Sequence, residues 1–175
     1  DNTIAEVLGR EVALALGSAS INEAFAEVFA NEPLANIEPH FQDASGLSPL
    51  TQVSAHTVVS LLELIDHDEQ LRHIMGYLPV AGETGSLQRR FSVAGVDAAG
   101  QVTAKTGSIR GVRSLAGVVD AGERGSVFFS ANLSGTQVDD SSRNDIDAWV
   151  AEIYRCGENL ADWSPDQAMT SYTGE

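Results

Sequence analysis

Lysine is nearly missing from this sequence. Of its ten basic residues nine are arginine, and Lys105, within "VTAKTGSIRG", is the only lysine. Cysteine is as scarce. One thiol, Cys156, makes no internal disulfide and assembles no zinc site. It falls at the end of a helical pattern with no histidine partner nearby, so it reads as a small buried apolar residue rather than a nucleophile. Long apolar runs are also lacking: "TVVSLLELI" falls well short of the roughly 18 residues that span a bilayer. Positive charge is short overall. A net charge of −15 repels a phosphate backbone and an anionic membrane surface alike, which argues against nucleic acid as a partner. The acids are spread along the chain rather than gathered in one block, so they read mainly as solvation.

What is present fits a globular chain. At 43% hydrophobic, its 175 residues suffice for one compact domain or part of a larger one. "TIAEVLGREVAL" and "INEAFAEVFA" carry Ile4, Val7, Leu8, Val12 and then Ile21, Phe25, Val28, Phe29 near helical spacing, with Gly17 to Ser20 as the break. "EPHFQDASGLSPL" reads as a loop ending in Ser48-Pro49, a serine cap and first-turn proline. That pair predicts a helix from about Pro49 to Ile65, with a shorter one over "DEQLRHIM". Glycines and prolines from Gly76 to Gly100 predict an irregular connection. The period then changes: "QVTAKTGS", "VRSLAGVVD" and "GSVFFSANLSG" predict three successive antiparallel strands, the last two apolar on both faces and covered by helices. "RNDIDAWVAEIYRCG" closes the pattern as a helix with Ile146, Trp149, Val150 and Ile153 on one stripe, stopped by Gly157. The expected domain spans residues 1–157, with a polar, frayed tail over 158–175.

Lys105 lies near the end of a strand, and a glycine precedes the next turn. Its ammonium can project over the sheet edge, Thr106 can donate to a carboxylate, and Gly107 leaves room for another backbone. Taken alone, Lys-Thr-Gly reads as a solvated strand end and Asp1-Asn2 as an ordinary helix cap. His40, His56, His67 and His73 have no zinc-binding spacing. Ser45 and Ser48 do not form a G-x-S-x-G elbow, and no paired base is evident for them.

Together the pieces resemble a known set. S-x-x-K, S-D-N and K-T-G mark β-lactamases and penicillin-binding proteins. "DNTIAEVLGR" resembles the S-D-N box without its serine, and "VTAKTGSIRGVRSLAGVV" resembles the K-T-G strand and its neighbour. "FQDASGLSP" and "LPVAGETGSLQRRF" extend the similarity, in order, over nearly all of residues 1–156. The family is that of the D-alanyl-D-alanine carboxypeptidases of the penicillin-binding protein 4 type, peptidase family S13. The resemblance implies an α+β fold: the C-terminal part of the penicillin-binding and serine β-lactamase-like transpeptidase fold, an antiparallel sheet flanked by helices. It also implies a groove with Lys105 on one side and Asn2 on the other, receiving a peptidoglycan stem peptide that ends in D-Ala-D-Ala. Lys105 would hold the terminal carboxylate and favour proton transfer, as a compact ammonium suits. Thr106, with Ser108, would donate to that carboxylate. The Ser108 N–H would form half of the oxyanion hole. Asn2 would bind the substrate amide, and Asp1 would anchor its box.

The family's nucleophile is a serine activated by the lysine of S-x-x-K. With Lys105 the only lysine, that serine would have to be at position 102, which is Val. The nucleophile is therefore expected outside this chain, in a missing N-terminal half of the same enzyme, and this chain alone is expected to be inactive. The family's sheet has five strands, two of them from upstream, so three strands would leave an open edge. Many relatives have arginine where Pro49 stands, which removes one contact to the stem peptide; Arg110 is a candidate to compensate. The resemblance implies β-lactams as ligands, no metal or organic cofactor, and an extracytoplasmic site of action. The alternative is a non-catalytic peptidoglycan-binding module of the same fold, or, with less behind it, an interaction protein that borrows the fold.

Overall fold

The structure, a computed structural model, describes residues 1–30 and 40–157. The expected tail and the start of the "EPHFQDASGLSPL" loop lie outside the described residues.

The first two helices form where their end signals are. The Asp1 carboxylate accepts the Thr3 and Ile4 N–H groups and opens α1 (Asn2–Leu16). Gly17, at φ 69°, closes it in the left-handed conformation that glycine adopts without steric cost. Ser20 then caps α2 (Ile21–Phe29) through the Glu23 N–H, while the Glu23 carboxylate returns to the Ala19 N–H at 2.9 Å. The two helices meet at 70°, and among the described residues no single helix is long and apolar enough to cross a membrane.

The third helix, α3 (Ala55–His67), starts later than expected, with Ser54 rather than Ser48 as its cap. Asp43 explains the shift. Its carboxylate accepts the Ser48 N–H at 2.8 Å and the Thr51 hydroxyl at 2.6 Å, so Ser48-Pro49 is held in a turn. Gln52 is then drawn into a bridge with His40. The helix expected over "DEQLRHIM" is a 3-10 helix, Arg72–Tyr77. Asp68 accounts for this too: it accepts the Gln70 and Leu71 N–H groups in a side-chain turn that competes with an α-helical start.

The three strands appear as expected: β1 (Val102–Ile109), β2 (Val112–Asp120) and β3 (Ser126–Ser134), antiparallel and in that order. Helix α4 (Ser142–Cys156) follows and ends at Gly157. Strand register pairs Ala104 with Gly117 and Ala116 with Ser130, which sorts the side chains onto two faces. One face carries Leu115, Val119 and Phe129 and packs on Ile146, Val150 and Ile153 of α4; this is the core. The opposite face was expected to be apolar as well and is so only in part: Val118 pairs with Phe128 at one end of it, and the groove end is polar. It presents Ser114, Ala116, Ser130, Asn132 and Ser134 toward α3. Gly117 lets β1 and β2 approach, since a Cβ there would lie 2.1 Å from the Thr103 carbonyl oxygen. Trp149, placed on the buried stripe, is 49% exposed, and Cys156 is only half-buried.

One charged pair sits inside this core. Asp147, 2% exposed, accepts Arg90 Nη2 at 2.5 Å, Arg90 Nε at 3.2 Å and the Phe91 N–H at 3.1 Å. Arg90 also donates to the Arg143 carbonyl. The pair pins the connection before β1 to α4 and holds Phe91 at φ 55°, a left-handed conformation costly for a bulky residue. Removing one partner leaves a buried charge uncompensated. Asp147→Ala is expected to cost about 3–5 kcal/mol in urea unfolding followed by circular dichroism.

Candidate functional site

Lys105, Thr106, Gly107 and Ser108 lie on the second half of β1, at the sheet edge. The first half of that edge is covered. Ala81 N–H donates to the Val102 carbonyl and Ala104 N–H to the Pro79 carbonyl, both at 2.9 Å. Backbone groups alternate along a strand, so those of Thr106 and Ser108 also point away from β2, beyond the covering segment. The Thr106 carbonyl accepts the Lys105 ammonium at 2.7 Å. The Ser108 N–H points off the same edge, outside the ladder, where an acceptor can reach it.

A groove of about 920 Å³ opens at this edge. Its floor is the polar sheet face, and its far wall is α3 with Val58, Leu61 and Ile65. Lys105, exposed, projects on this side with Gly107 and Ile109. The space left by the missing Gly107 side chain is taken by the Ser114 hydroxyl, 2.1 Å from where a Cβ would stand. The Thr106 and Ser108 side chains alternate to the other face, where Thr106 Oγ1 donates to Ser86 Oγ at 2.9 Å.

The remaining groove wall is the loop from Gly46 to Ser54. Two carboxylates build it. Burial of Asp43 pushes its carboxyl up, but hydrogen bonds from the Thr51 hydroxyl, Ser48 N–H, Ser45 hydroxyl and Leu47 N–H outweigh this and hold it below the ordinary range. Glu6 of α1 accepts the Ala44 and Ser45 N–H groups at 3.1 and 2.9 Å. Hydrogen bonding by Ser45 holds its carboxyl low against a smaller desolvation effect. Gly9, a turn further on, packs so closely that its Cβ would meet that of Ala44 at 2.5 Å.

Four of the six residues singled out by sequence, Lys105, Thr106, Gly107 and Ser108, therefore share the groove edge. The residues lining it include neither Asn2 nor Arg110. Arg110 is exposed in the turn between β1 and β2. Asn2 is exposed at the head of α1, one turn before Glu6 and on the same helix face, the face that grips the groove loop. Sequence reasoning passed over Asp43, Glu6 and Asp147. Asp147 had left a trace: it is a charge set within the apolar stripe of Ile146, Val150 and Ile153.

An α+β domain with helices on both faces of an antiparallel sheet and Lys-Thr-Gly on its edge strand is of the penicillin-binding type. The chain belongs to the D-Ala-D-Ala carboxypeptidase 3 (S13) family, whose model matches residues 1–153. A carboxypeptidase of Mycobacterium tuberculosis is 35% identical over 167 residues, 90% of this chain and 35% of that protein. The crystal structure of penicillin binding protein 4 from Haemophilus influenzae superposes with a TM-score of 0.70 at 25% identity, covering 88% of this chain and 37% of that one. The same protein complexed with a β-lactam gives 0.67 at 27% identity, covering 88% and 39%. The chain thus spans little more than a third of the length of these relatives.

The groove loop is expected to loosen in acid. Both carboxyls are depressed in the folded state, so their contribution is complete above the ordinary values of 3.8 for Asp43 and 4.5 for Glu6. It is lost as pH falls through the lower folded values. Asp43→Asn is expected to cost about 1 kcal/mol near neutrality, after solvent screening, and to flatten the acid limb of a stability–pH curve. An unchanged acid limb would remove Asp43 from this role.

Proposed function

We propose that this chain forms one wall of the active site of a serine-type D-Ala-D-Ala carboxypeptidase and endopeptidase acting on peptidoglycan stem peptides. The observation that carries this reading is the uncovered half-edge of β1, with Lys105 projecting over a groove and the backbone of Thr106 and Ser108 open at its rim. In such an enzyme a serine Oγ attacks the carbonyl carbon between the two D-alanines. The C–N bond breaks, the last D-alanine leaves with a proton, and water hydrolyses the ester. The nucleophile and its S-x-x-K lysine lie in this reading on sequence outside these 175 residues.

The residues of this chain then take defined parts. The Ser108 N–H, aimed off the ladder, serves the developing oxyanion. Such donors are worth roughly 10²–10³ in rate because they need no reorganisation as charge appears. Lys105 supplies positive potential at the groove and assists proton transfer to and from the nucleophile. Thr106 and Ser108 hydroxyls donate to the substrate carboxylate, and Gly107 keeps the strand flush beside Ser114. Asn2 binds the substrate amide from the opposite wall once α1 is seated against the rest of the enzyme, while Arg110 takes up the stem-peptide contact that Pro49 cannot make. β-Lactams mimic the D-Ala-D-Ala amide and acylate the same serine. A peptidoglycan substrate assigns the enzyme to the wall side of the cytoplasmic membrane.

Two measurements test this. A fluorescent penicillin is expected to leave this chain unlabelled and to label the complete protein; a labelled chain would mean that the nucleophile lies within it. A complete protein that binds wall peptide without labelling would be a binding module instead. In the complete protein, Lys105→Arg is expected to slow acylation roughly 100-fold or more with unchanged melting. A wild-type rate would take away the role of the ammonium.

A further inference from the structure

Four of the nine arginines, Arg89, Arg90, Arg113 and Arg143, line one cavity of about 450 Å³, and Thr106 and Ser108 line it too. It opens on the sheet face opposite Lys105, since Thr106 and Ser108 alternate with Lys105 and Gly107 along β1. In a chain of net charge −15 this is a local inversion of sign. The carboxylates paired there do not balance it. Asp147 is spent on Arg90 inside the core. Asp140, 76% exposed, serves both Arg113 at 2.9 Å and Arg143 at 3.1 Å. Arg89 is exposed and forms no ion pair among the described residues. Asp139 also lies within electrostatic reach of Arg113, so three carboxylates stand against four guanidinium groups and one positive charge is left over.

The site is also built in advance. Arg113 is 14% exposed and fixed, donating through Nη1 to the Ile109 and Val112 carbonyls at the β1–β2 turn. Its Nε is buried with no acceptor among the described residues. Burying an incompletely paired guanidinium is costly, and a negative ligand next to it lowers that cost. The first turn of α4, which carries Arg143 and Asn144, adds the partial positive charge of a helix start. Beside these charges stand the Thr106 and Ser86 hydroxyls, 2.9 Å apart. Fixed positive charge, planar guanidinium forks and adjacent hydroxyl donors are what a carboxylate requires.

We infer that this arginine pocket, rather than the Lys105 ammonium, holds the terminal carboxylate of the wall peptide and the carboxylate of a β-lactam. The inference rests on the proposed carboxypeptidase reading and assigns its anion subsite. Arg89 and Arg143 meet the carboxylate, Arg113 is the fixed charge behind them, and Thr106 and Ser108 hydroxyls complete the contact. Lys105 is then left to the groove on the other face, free for proton transfer.

The test uses the complete protein and two acylating probes, benzylpenicillin and its neutral carboxyl methyl ester, read as second-order acylation rates. The Arg89→Gln/Arg143→Gln variant is expected to lose roughly 10–100-fold with the acid and little with the ester. Arg89→Glu alone, which leaves the Asp140 pairs intact, is expected to lose at least as much with the acid as Arg89→Gln alone. Equal losses on acid and ester, or no loss on the acid, overturn the subsite while leaving the carboxypeptidase reading in place. A wild-type protein that neither probe acylates overturns both.

Discussion

The Arg90–Asp147 ion pair is the constraint on which the site depends. Buried charges of opposite sign are costly to place and costlier to separate, so two segments 57 residues apart in sequence are tied at one point. On one side of that point Phe91 is forced into a left-handed turn and its ring is driven into the core. On the other, α4 is set against β2, and its first turn is brought beside the strand edge. The Pro79–Ala81 segment that covers half of β1 belongs to the same pinned connection. An edge that is open along part of its length and covered along the rest is thus defined by an interaction some distance from it.

The division of the sheet into two unlike faces follows from that arrangement. The face under α4 is filled with Leu115, Val119 and Phe129 and supplies the hydrophobic stabilisation. The face toward α3 is apolar at Val118 and Phe128, but its groove end carries serines, an alanine and an asparagine, which give little burial energy and leave space and polar surface. Lys105 projects from the second face, and Thr106 and Ser108 from the first. Consecutive residues of one tripeptide motif therefore work in different electrostatic surroundings, an ammonium over a roomy groove and hydroxyls among guanidinium groups.

Much of this was legible in the sequence. The three strands and helices α1, α2 and α4 follow from period, glycine placement and end signals, because those effects are local. The failures involve side chains that act across the chain. Ser48-Pro49 has the chemistry of a helix start, but Asp43 captures its backbone and passes the cap to Ser54. The polar groove face escaped notice because β2 and β3 look apolar residue by residue, and only their register gathers Ser114, Ser130 and Asn132 on one side. The motif residues from Lys105 to Ser108 were found because they are contiguous. The arginines at 89, 113 and 143 were not, because sequence separates what register and the pinned helix bring together.

The partial cover of β1 has one further consequence. A naked edge strand is normally a template on which another molecule can zip up hydrogen bond by hydrogen bond. Here Pro79–Ala81 occupies the early rungs of β1, so among the described residues the stretch around Thr106 and Ser108 is what that strand leaves open to a visitor. A visiting backbone of two or three residues fits that remnant, whereas an aggregating strand finds too few rungs to hold on.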